Sequence, residues 1–325
     1  MAPPLRRAIS PDVAIVGGGV AGSSLAVVLR RAGLDVHLIE RSDLFRDRVR
    51  GETIHPWGVG HVRELGLYDL VRDSASAQEQ RLWQKYVDGE AQEPSRWADN
   101  FPKTPNGLGV AHVDLQEALL AEAVRTGAML HRPAEVAFDR IRDRPRLGIT
   151  TPDGETSISP ALVVGADGEH SATRRWLGGT RRADPTHHYL GGVLVQGLGL
   201  ATDRIHQALF SGGMILTSPL SEDRARVYII CDPERASTIQ RSEIPARQIV
   251  DQFRNSTPDG LLAERWHAIG PAGFFPNSTM VATIPSSRDV VLIGDASGRN
   301  DPSQGHGLSL VFRDVHALRD LLTDG

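Results

Sequence analysis

Two short apolar runs in this chain each end in glycine and open toward a helix-forming stretch, one near each end of the sequence. The first, Val13-Ala14-Ile15-Val16, leads into Gly17-Gly18-Gly19-Val20-Ala21-Gly22. The second, Val290-Val291-Leu292-Ile293, leads into Gly294-Asp295-Ala296 and, past Pro302, into Gly305-His306-Gly307. A glycine turn between a buried strand and a helix leaves the first helical N–H groups free and presents a positive dipole end to an anion. One such loop suggests a nucleotide. Two suggest a single long cofactor held at both ends.

Around the first loop, Val20 to Arg31 reads as a helix ended by Gly33, and Asp35-Val36-His37-Leu38-Ile39 as a second strand ending at Glu40. A strand–helix–strand unit implies a parallel sheet with a right-handed crossover. Within Gly17-x-Gly19-x-x-Gly22 one glycine allows the tight turn, one lets backbone approach a pyrophosphate, and one packs helix on strand. Glu40 lies about 20 residues on, where an acid accepts hydrogen bonds from a ribose diol and disfavours a 2′-phosphate. This motif alone fits FAD and NAD equally well. The second loop separates them. Asp295 at a strand's end suits a polyol hydroxyl, as in a ribityl chain, and NAD has none. Gly305 and Gly307 let backbone lie close to a flat ring, and a helix from about Ser309 to Leu322 aims its positive end there.

Between the loops come an arginine-rich stretch (Arg41, Arg46, Arg48, Arg50), a helix from Trp57 to Leu65 and a strand from Leu82 to Val87. Gln92 to Gly109 reads as Pro- and Asn-rich loop, and Asp114 to Arg125 as a helix with Asp114 as its N-cap. From about Gly191 to Pro285 alternating segments read as antiparallel strands, with Ser221-Glu222-Asp223-Arg224 as a hairpin turn. The expected fold is α/β (α+β overall). A Rossmann-like domain with a parallel sheet spans 1–80, 106–182 and 286–325, and a mostly antiparallel β-sheet substrate domain spans 81–105 and 183–285.

Composition closes off other classes. The net charge of −4 comes with no basic tract, which argues against a nucleic-acid partner. No apolar run approaches the length of a membrane span, and none follows Met1–Arg7 as in a signal peptide, so a cytoplasmic location is expected. Cys231 is the only cysteine, which excludes intrachain disulfides and thiolate clusters, and it reads as a buried strand residue. His187-His188 would place neighbouring side chains on opposite faces of a strand, so no metal site is expected.

Taken together the motifs resemble the FAD-dependent aromatic hydroxylases, the p-hydroxybenzoate hydroxylase type of flavoprotein monooxygenase. Three segments match in order: the N-terminal glycine loop, Val163-Val164-Gly165-Ala166-Asp167-Gly168-Glu169-His170-Ser171, and Ile293-Gly294-Asp295-Ala296. Arg50-Gly51-Glu52 and Leu115-Gln116 also resemble family segments, whereas the β-rich insertion matches least. The resemblance implies FAD, with NADH or NADPH as co-substrate and O2. Oxygen would pass through a flavin C4a-hydroperoxide to a small aromatic or polyketide-like substrate. It also implies cofactor contacts at Gly17, Gly19, Val20, Ala21, Gly22, Glu40 and Arg41, with Arg50 and Gln116 at the flavin. Asp295, Pro302, Gly305, His306 and Gly307 would lie at the ring end. Asp167 would join FAD binding to nicotinamide recognition, and serves equally as a helix N-cap.

Little catalytic work is left to the protein in this chemistry, and His306 and His55 are the candidates for it. His112 and His306 stand where the family often has arginine and glutamine. Phe210, Met214, Leu216, Tyr228, Phe274 and Phe275 are candidates for pocket walls. Family members commonly continue beyond Leu321-Leu322-Thr323-Asp324-Gly325, so this is a compact or truncated member, and a homodimer stays open. A geranylgeranyl-type alkene reductase shares these motifs, and a non-catalytic flavin-binding protein is a further alternative. A flavin halogenase would carry Trp-x-Trp-x-Ile-Pro and a guiding lysine. No Trp-x-Trp occurs, and Lys85 and Lys103 are the only lysines.

Overall fold

The strand Val13–Val16 is buried along its whole length and lies inside a six-stranded sheet. Across that sheet run Ser286–Ser287, Val290–Leu292, Leu162–Gly165, Val13–Val16, Val36–Ile39 and Met129–His131. All pairings are parallel except the edge pair Ser286–Ser287 with Val290–Leu292. These details come from a computed structural model that describes residues 9–74 and 77–323. The N-terminal Met1–Arg7 reading and the last two residues of the C-terminal one lie outside the described residues.

Strands covered on both faces need continuous apolar runs, and this sheet has them. Val13 and Ile15 face a core shared with the helices Val20–Arg31, His112–Arg125 and Gly307–Thr323, which contribute Leu25, Leu29, Leu115, Leu119, Phe312 and Val315. Ala14 and Val16 face the other way, onto a three-stranded antiparallel meander (Glu135–Ile141, Arg144–Thr151, Gly154–Ile158) that supplies Leu147, Ile149 and Ile158. Each fully buried Ile, Leu, Val or Phe among them stabilises the fold by about 1.5–3 kcal/mol relative to exposure. The helix Val20–Arg31 has the bounds expected from its sequence.

A second sheet runs His267–Ala268, His188–Gln196, Arg224–Cys231, Gly213–Pro219, Arg204–Phe210, Leu82–Val87, Glu90–Ala91, with Gly273–Asn277 and Ser95–Arg96 at its flanks. Its strands all fall within 81–105 and 183–285. Only Leu82–Val87 with Arg204–Phe210 is parallel; the turn after Pro219 closes an antiparallel hairpin onto Arg224–Cys231. One face, with Val193, Val227 and Ile229, packs beneath the helices Pro233–Gln240 and Pro245–Asn255. Cys231 is buried on this face, and burial pushes its thiol up to about 11. The opposite face, with Leu190, Leu216, Tyr228 and Ile230, packs on Trp97 and Val49.

Three expectations change. The stretch 92–109 is not loop throughout. It holds the strand Ser95–Arg96, a helical turn Trp97–Asn100 and the strand Gly107–Gly109, which pairs with both Thr53–Ile54 and Gln78–Gln80. Burial of Trp97 organises it: a Cβ on Gly107 would come within 2.0 Å of the Trp97 ring. Second, the helix Asp114–Arg125 begins earlier, at His112, with Ala111 at the N-cap and no side-chain cap. Asp114 sits instead in the first turn, where a carboxylate meets the positive dipole end. Third, His187 and His188 do not point apart. The strand begins only at His188, so alternation does not reach back to His187, and the two rings meet through their Nδ1 atoms. Among the described residues no helix is long and apolar enough to cross a membrane.

Candidate functional site

The two glycine loops open onto one cleft of about 660 Å³. Gly19, Val20 and Ala21 of the first loop and Asp295, Pro302, Gly305 and Gly307 of the second line it together, and the loops adjoin: a Cβ on Gly294 would lie 3.4 Å from Ala21 Cβ. Gln116 from the helix His112–Arg125 and Arg50 also line it, and Phe274 and Phe275 come from the second sheet.

The three glycines of the first loop have three different neighbourhoods. Gly17 holds φ +107°, and a Cβ there would lie 2.4 Å from the Ala166 carbonyl oxygen. A Cβ on Gly22 would lie 1.8 Å from the Gly17 oxygen, so this glycine packs helix on strand. On Gly19 a Cβ would meet nothing nearer than Gln116 Nε2 at 3.8 Å; it would project into the cleft. Gly19 is also the extended N-cap of its helix and offers no side-chain acceptor, so the helix's first N–H groups remain available to an anion. Gly17 and Gly22 thus shape the loop from behind. Glu40 is buried beside it: Oε2 accepts from the Gly18 N–H and Oε1 from the Ser42 N–H, both at 2.7 Å. Its carboxylate braces the loop and keeps further acceptor sites, but does not line the cleft. Arg41 is exposed and also outside the lining.

In the second loop Asp295 sits in the turn Gly294–Ala296, with Gly294 left-handed at φ +57° and its N–H donating to Asp314 Oδ2 at 3.1 Å. Burial holds the Asp295 carboxyl above the ordinary range, while the Arg50 guanidinium, 3.8 Å away, pulls it back. Asp301 caps the short turn Pro302–Gln304 by accepting from Ser303 N–H, and left-handed Gly305 ends it. Gly307 then starts the last helix, so bare backbone and a helix N-terminus face the cleft together.

Asp167 is placed differently. Oδ2 accepts from the N–H groups of Ala172 (2.7 Å) and Thr173 (3.0 Å), and Oδ1 accepts from the Ser171 hydroxyl. The carboxylate therefore serves the helix Ala172–Trp176, whose N-cap is Ser171, while Ala166, Gly168 and Glu169 line the cleft. His55 and His306 are not among the lining residues. His55 stacks on Trp97 (centroids 5.3 Å apart, 7° between planes), and its Nε2–H donates to the Gln304 carbonyl at 2.8 Å. Burial, reinforced by His306, pushes its pKa down to about 4. His306 stands edge-on to His55 at 4.7 Å, and burial lowers its pKa as well. Both rings favour the neutral form at pH 7, which disfavours an imidazolium beside the ring site.

Of the proposed wall residues, Phe274 and Phe275 line the cleft; Leu216 and Tyr228 lie in the core around Trp97, with Met214 packed against it, and Phe210 packs on the other core. Sequence reasoning missed Asp47, Arg48, Val49, Glu169, Arg299 and Asn300, and it flagged His112 only as a departure from a family pattern. His112 lines the cleft, is pushed down to about 4 mainly by burial, and donates from Nδ1 to the Gly51 carbonyl at 3.0 Å. Glu169 lies within the Val163–Ser171 segment, and no local motif marks the others. His187, His188 and Asp301 also converge, their ligand-type atoms within 4.8 Å of one another beside Pro302, and Asp301 Oδ2 lies 3.1 Å from His188 Nε2.

Free N–H groups at one glycine loop, a carboxylate and bare backbone at the other, and two phenylalanines in the wall fit an elongated dinucleotide carrying a flat ring. A family model described as an FAD binding domain matches residues 10–324. Squalene monooxygenase of Rattus norvegicus is 27% identical over 97% of this chain, which spans 55% of that protein's length. A 3-amino-4-hydroxybenzoate 2-monooxygenase of Streptomyces platensis is 33% identical over 60% of this chain and 47% of its own. Among solved structures, aklavinone-11 hydroxylase with FAD and aklavinone superimposes with a TM-score of 0.79 at 21% identity, covering 98% of this chain and 63% of that one. A flavin-dependent halogenase gives 0.79 at 20% identity over 98% and 59%.

Proposed function

The chain belongs to the FAD-binding family that its residues 10–324 match, and from that premise we propose that it is an FAD-dependent monooxygenase. It would use NADH or NADPH and O2 to add one oxygen atom to a small aromatic or polyketide-like molecule. The observation that carries the reading is the continuity of the cleft from Gly19 to Gly307, with Phe274 and Phe275 closing the side toward the second sheet. Bound FAD, once reduced, supplies the oxygen activation. The chain's own residues bind and orient. N–H groups after Gly19 take the phosphates, Asp295 accepts from the polyol hydroxyls, and the helix opening at Gly307 favours negative charge on the ring. The phenylalanine wall excludes water from the reacting atoms. In this reading residues 1–80, 106–182 and 286–325 hold the cofactor, and residues 81–105 and 183–285 choose the substrate.

A second reading, epoxidation of an isolated alkene, is favoured by the alignment to squalene monooxygenase over nearly the whole chain. One experiment addresses both. The purified protein should be yellow and release FAD, and NAD(P)H oxidation with O2 uptake should rise with the true substrate. Phenols and polyketides are tested against alkenes, and products should gain one oxygen atom by mass spectrometry. A colourless protein that FAD cannot reconstitute would overturn the proposal. Anaerobic turnover would replace it with a reductase, and halide-dependent products with a halogenase.

A further inference from the structure

Arg226 heads the fully buried side chains by volume, and the chemistry above makes no use of it. A guanidinium buried in a sheet is costly unless its donors are matched. Here Nε and Nη2 each donate to an oxygen of Glu52 at 3.0 Å, and Nη2 and Nη1 donate to Asp47 at 2.6 and 3.3 Å. Two residues along the same face of the strand, the Tyr228 hydroxyl is shared between the Arg50 carbonyl and Glu52 Oε2. Burial works against charge on Arg226, and Glu52 outweighs it and keeps the guanidinium protonated.

All three partners lie on one segment, 47–52, which itself lines the cleft from Asp47 to Gly51 and carries Arg50 to within 3.8 Å of Asp295. The sheet is also shaped to receive that segment. A Cβ on Gly192 would come within 2.7 Å of Val49 Cγ1, and one on Gly273 within 3.0 Å of Val49 Cγ2. Steric room and matched charge thus point to the same docking of segment on sheet.

We propose that Arg226 is a positioning residue for the cofactor: acting through Asp47, Glu52 and the Tyr228 hydroxyl, it sets Arg50 beside Asp295, so that the antiparallel sheet fixes one wall of the FAD cleft. The inference rests on FAD occupying that cleft. It makes cofactor affinity a property of a sheet remote in sequence from both glycine loops, and cofactor binding in turn steadies that sheet.

The test uses Asp47→Asn, Tyr228→Phe and Arg226→Lys in the full chain, with Asp289→Asn as control. Asp289 pairs with Arg140 away from the cleft. FAD Kd is measured by fluorescence titration of the apoprotein, with the visible spectrum of bound flavin and the apoprotein's Tm. Asp47→Asn and Tyr228→Phe are each expected to raise Kd about tenfold and to shift the spectrum. The control lowers Tm and leaves Kd and spectrum alone. Wild-type Kd and spectrum in both Asp47→Asn and Tyr228→Phe overturn the proposal, even if Arg226→Lys fails to fold. A wild-type protein that binds no FAD refutes the cofactor reading instead.

Discussion

A methyl group built on Gly22 would come within 1.8 Å of a backbone oxygen, whereas one on Gly19 meets nothing closer than 3.8 Å. The two positions therefore answer to different constraints. Gly22→Ala forces helix and strand apart and should cost about 1–3 kcal/mol, as overpacking does, with cofactor retention falling alongside Tm. Gly19→Leu should leave the Tm of the apoprotein near wild type and abolish FAD retention, because its side chain would stand in the cleft. Thermal unfolding of the apoprotein and flavin titration separate the two; FAD bound normally by Gly19→Leu would refute the assigned geometry. The spacing of these glycines makes the loop readable from the sequence, and Gly19, Gln116, Asp295 and Gly305 share one cleft. Arg226 could not be read that way. Its partners Asp47 and Glu52 are far away in sequence, and nothing local marks a buried arginine as paired.

At the level of single elements, legibility followed how much of the outcome was local. Val20–Arg31 has a glycine at each end and an apolar face, and its bounds were evident. The stretch 92–109 reads as loop because its prolines and asparagines are local signals, while Trp97 is held by Leu190, Leu216, Tyr228 and Ile230 from another part of the chain. Trp97→Ala should therefore cost about 3–5 kcal/mol, the range for emptying a large aromatic site. Urea unfolding of the variant checks this, and a loss under 1 kcal/mol would mean that the turn Trp97–Asn100 is not anchored through its ring. Asp114 shows the converse error. An acid near a helix start reads as a cap, although the helix extends back to His112, which is tied to Gly51.

For the molecule as a whole, three histidines, His206 buried and His55 and His112 half-buried, set a dependence on acid. His55, His112 and His206 are each pushed down to about 4, from an ordinary 6.5, chiefly by burial. As pH falls from about 6.5 to about 4, the unfolded chain takes up protons that the folded chain refuses, so stability is lost across that window and levels below it. Above 6.5 these groups contribute no slope. Glu52, raised by burial, acts in the opposite sense, and its contribution is lost as pH rises through its folded value. The three histidines should dominate between pH 7 and 4.5. Tm is expected to drop by several degrees over that interval, and His206→Gln should flatten the curve; a Tm unchanged across it contradicts the burial of these rings.

The cleft takes part of its lining from residues 19–21 and part from residues 295–307, and the strand Val290–Leu292 reaches Val13–Val16 only through Leu162–Gly165. A chain emerging from a ribosome folds from its N-terminus onward. The first loop will thus be exposed long before the second has been translated, and a nascent chain can offer a cofactor only half a grip. Loading is in effect a post-translational event, and a chain interrupted before Asp295 would wait for a ligand it cannot keep.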